Sequence, residues 1–200
     1  MGIIANQMAL ELFFKLKQKI QEKHAVKDSL FRKAGREDLA AVARIYDKIH
    51  RLEEEGRRKI GWETGVYPTE ETALRAIEKG ELFVYGKEEV SAAAIINQEQ
   101  VDVYRKCAWN YEASDEEVLV LHTLVVDPDR EGQGIGKAFV AFYEILAKER
   151  GCRVLRMDTN AKNERARRLY SSLGYREAGI LPCDFNGIQG ISLVMLEKKV

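Results

Sequence analysis

The stretch DPDREGQGIGKAF, residues 127–139, decides how this chain is read. Gly132, Gly134 and Gly136 alternate with other residues directly after an apolar run, VLVLHTLVV, residues 118–126. A helical pattern follows, with Ile135, Ala138, Phe139, Phe142 and Leu146 on one face and Gly151 at its end. Between a strand and a helix, such a turn can aim several N–H groups at one anion, and the helix dipole adds to the attraction. Two common phosphate loops do not fit. In a Walker loop ending at Gly136-Lys137, the first glycine falls on Glu131 and Ala138 replaces the metal-binding hydroxyl. In a dinucleotide fingerprint begun at Gly132 or Gly134, the third glycine falls on Lys137 or Phe139. On these residues alone, either another phosphate ligand or a plain tight turn remains open.

A second pattern lies downstream in TNAKNERARRLYSSLGY, residues 159–175. Asn163 and Tyr170 are seven apart, so on a helix they share a face about 10 Å apart along the axis. Ala166 lies between them and leaves room for an elongated ligand. The plainer alternative makes Asn163 an N-cap and Tyr170 a core aromatic. Lys162, Arg165, Arg167 and Arg168 read as a solvated basic face.

Taken together, LVVDP, GQGIGK, N-x-x-A-x-x-x-Y and SSLGY resemble the GNAT superfamily of acetyl-CoA-dependent N-acetyltransferases. The resemblance runs from about residue 30 to the end, with its specific motifs between 119 and 175. WETGVYP, residues 62–68, resembles a segment of a small-amine-type branch, as do Tyr104 and Trp109. The resemblance implies acetyl-CoA as the acyl donor. It assigns the pyrophosphate to the loop Glu131, Gly132, Gln133, Gly134, Ile135, Gly136 and Lys137. The pantetheine arm falls to the main chain of Leu124, Val125 and Val126 and to Asn163. Glu131 departs from the usual Gln or Arg, and a carboxylate beside a pyrophosphate must point away or pair with Arg130 or Lys137. The N-terminal helix lies outside the resemblance.

Direct attack of an amine on a thioester needs a proton removed from the amine, whose pKa is near ~10, and one supplied to the thiolate, near ~8.5. Tyr170 is the expected general acid. His122, in the central strand, and Glu117, at its start, are the expected bases, each with a structural alternative: a core histidine and a solvated carboxylate. The backbone N–H near Val125 is the expected oxyanion donor. Trp62 and Tyr67 are expected to wall the acceptor pocket. The chemistry requires no metal. The expected acceptor is a primary amine of a small molecule or peptide. The competing readings are a catalytically inactive CoA-binding regulatory module and, disfavoured by the failed glycine patterns, a nucleotide-binding protein.

The rest of the chain is consistent with this. Thirty-two Lys and Arg balance 32 Asp and Glu among 200 residues, so no global field recruits nucleic acid or a membrane surface. Cys107, Cys152 and Cys183 form no CxxC pair and read as reduced thiols of a cytoplasmic protein. The order of elements, helices mixed with early and late hairpins, predicts an α+β (mixed α/β) domain over 28–200. The resemblance implies a mostly antiparallel sheet flanked by helices. Residues 1–27 predict an amphipathic helical extension, with Leu12, Phe13, Leu16 and Ile20 on one face and lysines between them. Their order of charge and apolar residues is wrong for a secretory signal. That helix is expected to pack on its own domain, with homodimerisation as the alternative.

Overall fold

A computed structural model describes residues 30–200; the predicted helix over 1–27 lies outside the described residues. Seven strands form one sheet in the order β1-β2-β3-β4-β5-β7-β6. They are β1 (Phe31–Lys33), β2 (Leu82–Tyr85), β3 (Ala92–Asn97), β4 (Val118–Val126), β5 (Val154–Asn160), β6 (Arg176–Phe185) and β7 (Ile188–Lys199). Every neighbouring pair is antiparallel except β4–β5, which is parallel. The mixed, mostly antiparallel architecture is the expected one.

Among the described residues, four α-helices flank the sheet: α1 (Leu39–Glu54), α2 (Glu70–Glu78), α3 (Ile135–Glu149) and α4 (Glu164–Ser172). The apolar face of α1 packs on the sheet: Val42, Ile45, Tyr46 and Ile49 are buried with Val84, Ala93 and Val125. Thr69 caps α2 by accepting from the Thr72 amide, a contact worth about 1 kcal/mol. The helix α3 buries more of its circumference than the sequence pattern suggests. Val140, Tyr143 and Ala147 join Phe139 and Phe142 in a cluster with Leu119, Leu121 and Leu155. Each such large apolar side chain contributes roughly 1.5–3 kcal/mol on burial.

Two connections shape the sheet's edges. The β2–β3 connection is the six residues 86–91, because pairing resumes at Tyr85↔Ala92. The C-terminal strands extend further than their apolar cores, meeting at an Asn186-Gly187 turn in which Asn186 has φ 52. Asn tolerates that left-handed conformation better than most residues.

The decisive irregularity is in β4. Its register against β3 shifts between Ala93↔Val125 and Ile95↔His122. The backbone of Thr123 there has φ 51. A bulge of this kind bends a strand and strengthens its twist. On the other side, β4 pairs with β5 only from Val118↔Val154 to Leu121↔Met157. Beyond that point the two strands part, while β5 stays paired with β7 as far as Asn160↔Leu193. The sheet therefore opens into a V at its centre.

Candidate active site

The V is the floor of a cleft of about 690 Å³. Its walls include His122 to Val126 of β4, Asp158 to Asn160 of β5, the glycine loop, α4, the loop before α2 and the β6–β7 turn.

At one end lies the glycine loop. Lys48 of α1 anchors its start, with Nζ 2.9 Å from Asp127 Oδ1 and 2.6 Å from Asp129 Oδ2. Gly132 (φ 77) and Gly134 (φ 76) are left-handed, a conformation that side chains resist, and nothing lies within 4 Å of a Cβ built at either. Gly134 is also the N-cap of α3 and supplies no side chain to its first turn. As a result, the N–H groups from Gly132 through Gln133, Gly134, Ile135 and Gly136 to Lys137 meet no acceptor among the described residues. Consecutive free donors at a helix start make an anion cradle. The space around Gly132 and Gly134 is open, so no side chain covers the cradle at those two positions.

The Glu131 carboxylate is paired, but not with the expected partners. Arg58 Nη2 lies on its Oε1, and Arg165 Nη1 donates to its Oε2 at 2.8 Å. Arg130 instead pairs with Glu89 at 2.7 Å. Arg165, read from sequence as part of a solvated face, therefore lines the cleft.

In the middle, the structure brings Asn163 and Tyr170 to the same wall. The N-cap reading of Asn163 holds: its Oδ1 accepts from the Ala166 amide at 3.2 Å. Tyr170 is 7% exposed and packs 6.1 Å from the Tyr175 ring. Burial, and then the nearby Asp158 charge, push its phenol well above the ordinary value, so it stays protonated at neutral pH.

Opposite stands a group that sequence reasoning missed. Asp158, in β5, opens onto the cleft and accepts from the Tyr104 hydroxyl at 2.8 Å. Burial raises its pKa to about 6, opposed by the Tyr104 hydrogen bond. A carboxylate tuned toward neutrality suits proton abstraction. It sits in RVLRMDT, where two arginines also stand among the apolar residues, so no local signal singled it out.

The two expected bases fare differently. His122 lines the cleft, but its Nε2 is 3.0 Å from Asn97 Oδ1, and burial lowers its pKa. Asn97 in turn donates to Glu81 at 2.9 Å. His122 is thus tied into a network running away from the cleft. Glu117 is not a cleft residue. It lies beyond the first, paired end of β4, where Arg153 Nε donates to it at 2.5 Å. That ion pair pulls its pKa down to about 2, far too low for a base near pH 7.

At the other end, Trp62 and Tyr67 line the wall with ring centroids 6.2 Å apart at 88°. The Tyr67 hydroxyl is hydrogen-bonded to Thr123 Oγ1 on the bulge. It also interacts with Asn186, so one phenol ties the loop before α2, the bulge of β4 and the β6–β7 turn together. Val125, the expected oxyanion donor, is buried and paired with Ala93.

Comparison with known proteins bears on the family and the fold. An uncharacterised N-acetyltransferase of Methanocaldococcus jannaschii is 33% identical over 75 residues, covering 38% of this chain and 33% of that protein. The [ribosomal protein bS18]-alanine N-acetyltransferase of Escherichia coli K12 is 38% identical over 60 residues, covering 30% of this chain and 40% of its own. These matches thus span well under half of each relative's length, 33% and 40%. Among solved structures, a GNAT-family acetyltransferase from Streptococcus agalactiae superposes with a TM-score of 0.70 at 19% identity, over 85% of this chain and 94% of its own. The yncA protein of Salmonella typhimurium, solved with its cofactor acetyl-CoA, superposes with a TM-score of 0.61 at 18% identity, over 84% and 92%. The family model described as Acetyltransferase (GNAT) family matches residues 41–175, which span the α1 helix, the split strand, the glycine loop and the Asn163–Tyr170 helix, and the chain belongs to that family.

Proposed function

We propose that the protein transfers an acetyl group from acetyl-CoA to a primary amine of a small molecule or peptide. The observation that carries this reading is the shape of the cleft. A run of free N–H donors at one end leads along the unpaired edge of β4 to a carboxylate and a phenol that flank the open V. The loop from Glu131 to Lys137 would hold the pyrophosphate. The edge at Leu124 to Val126, with Asn163, would hold the pantetheine arm, and the bound donor supplies the acetyl thioester.

The chain's own groups then divide the proton work. Asp158, ionised above about pH 6, takes a proton from the amine. Tyr104 fixes that carboxylate's orientation from behind. Tyr170 keeps its proton at neutral pH and would deliver it to the departing sulfur. Trp62 and Tyr67 exclude water from the acceptor end and present it with apolar surface. The three free cysteines are consistent with work in a reducing compartment such as the cytoplasm.

The test is CoA release from acetyl-CoA against a panel of alkyl amines, polyamines, amino acids and short peptides. Because the E. coli relative is named for an alanine of ribosomal protein bS18, peptides with N-terminal alanine belong in the panel. Turnover that requires Asp158 supports the proposal. Tight CoA binding with no turnover on any amine would leave the regulatory binding module in its place.

A further inference from the structure

Glu131 occupies a position where two arginines from different parts of the chain converge. Arg58 comes from the segment after α1, and Arg165 from the first turn of α4. All three line the cleft beside the glycine loop. The two guanidiniums repel: burial first, then Arg165 and Arg57, depress the Arg58 pKa. Such a pair requires an anion between its members, and here the anion is the chain's own carboxylate.

Glu131 is a modest partner for this pair. It carries one charge, is itself 31% exposed, and precedes a left-handed glycine with open space around it. A phosphate group carries up to two charges near pH 7 and has three acceptor oxygens, so it satisfies two guanidinium forks better than one carboxylate does. The adjacent free N–H run means that a ligand phosphate seated in the loop lies beside this pair.

We propose that Arg58 and Arg165 form a phosphate-binding pair for which Glu131 is the built-in competitor, so that this one carboxylate weakens the hold on a phosphorylated donor. The proposal rests on the reading of CoA as the donor. It goes beyond the backbone cradle, because it assigns two side chains and an opposing one. The phosphate could be the ribose 3′-monoester or part of the pyrophosphate, and the ligand series below separates them.

The experiment is calorimetric titration of CoA, 3′-dephospho-CoA and pantetheine into the full chain, as wild type, Glu131→Gln, Arg58→Met and Arg165→Met. Glu131→Gln should tighten CoA about 3- to 10-fold, and either arginine variant should weaken it about 5- to 20-fold, the range of one or two charge-assisted hydrogen bonds. If the 3′-phosphate is the ligand group, both effects fall below about twofold with 3′-dephospho-CoA. If the pyrophosphate is, they persist there and vanish with pantetheine. Thermal melts accompany each variant, and should Arg58→Met fail to fold, Arg165→Met carries the comparison. Equal weakening by Glu131→Gln and Arg165→Met would make Glu131 a scaffold and overturn the proposal. So would CoA affinities within twofold of wild type for every variant. Failure of wild type to bind CoA at all would remove the donor reading itself.

Discussion

Replacing Asp158 with Asn separates its proposed chemistry from its structural cost. The protein holds this carboxyl at a pKa of about 6, against an ordinary value of 3.8, and burial is the main cause. A folded pKa above the unfolded one means that the native state binds the proton more tightly. The group's stabilising contribution is therefore fully present below about pH 4, and is lost as pH rises through about 6. At 1.36 kcal/mol per pKa unit, the complete loss is about 3 kcal/mol. About 1 kcal/mol of it is already gone at pH 4.5, by the same relation. Asn keeps an acceptor for the Tyr104 hydroxyl but does not titrate. The stability advantage of Asp158→Asn over wild type should thus grow by about 2 kcal/mol between pH 4.5 and 7.5, measured by urea denaturation at both values. The same change should lower kcat/KM by about 10²- to 10⁴-fold, the range for losing a general base, and abolish an activity limb that rises through about pH 6 in wild type. A stability gap that is flat with pH, together with an unchanged pH–rate profile, would refute both the perturbed pKa and the base role.

Tyr104→Phe removes the hydrogen bond that holds the Asp158 pKa down, so the rising limb of the pH–rate profile should move to higher pH, with little change in KM for acetyl-CoA. Tyr170→Phe keeps the buried ring but loses the proton, and should lower kcat by about 10²-fold or more while calorimetry shows unchanged acetyl-CoA binding; a wild-type kcat with chemistry rate-limiting would reduce Tyr170 to packing. Asn163→Ala removes the α4 cap and a cleft amide together, so it should cost about 1 kcal/mol in denaturation and also weaken acetyl-CoA binding. Glu117→Gln should leave kcat/KM within twofold, since that carboxylate is bound to Arg153 away from the cleft.

The parts of the fold legible in the sequence were those written in local periodicity and glycine punctuation. The apolar run at 118–126 became β4 with those bounds, and Val42, Ile45, Tyr46 and Ile49 of α1 packed as their spacing required. The glycine loop was legible because only glycine takes φ near 76 without strain. What could not be read was set by tertiary pairing. No local signal marks Thr123 as a bulge, since its φ of 51 is imposed by the register shift against β3. Asp158 looks like any acidic residue near a strand end until the parting of β4 from β5 exposes it to the cleft. Glu117 and His122 were plausible bases by distance along one strand, but a nine-residue strand places its ends far apart and aims successive side chains to opposite faces. Arg58 was invisible for a different reason: its partner, Glu131, is over seventy positions away.

The width of the V is controlled from behind. Four strands stand on one side of the split and three on the other, and they meet at the short parallel seam from Val118↔Val154 to Leu121↔Met157. Tyr143 of α3 sits on that seam, its hydroxyl 2.5 Å from the Leu119 carbonyl of β4 and 3.1 Å from the Arg156 carbonyl of β5. One phenol thus acts as a rivet through both halves of the sheet. Because β4 runs five residues past the seam and β5 three, a slight turn at the rivet is carried out to the mouth, as in a pair of tongs. The aperture offered to an acceptor is then a property of a fully buried tyrosine that is absent from the cleft's walls.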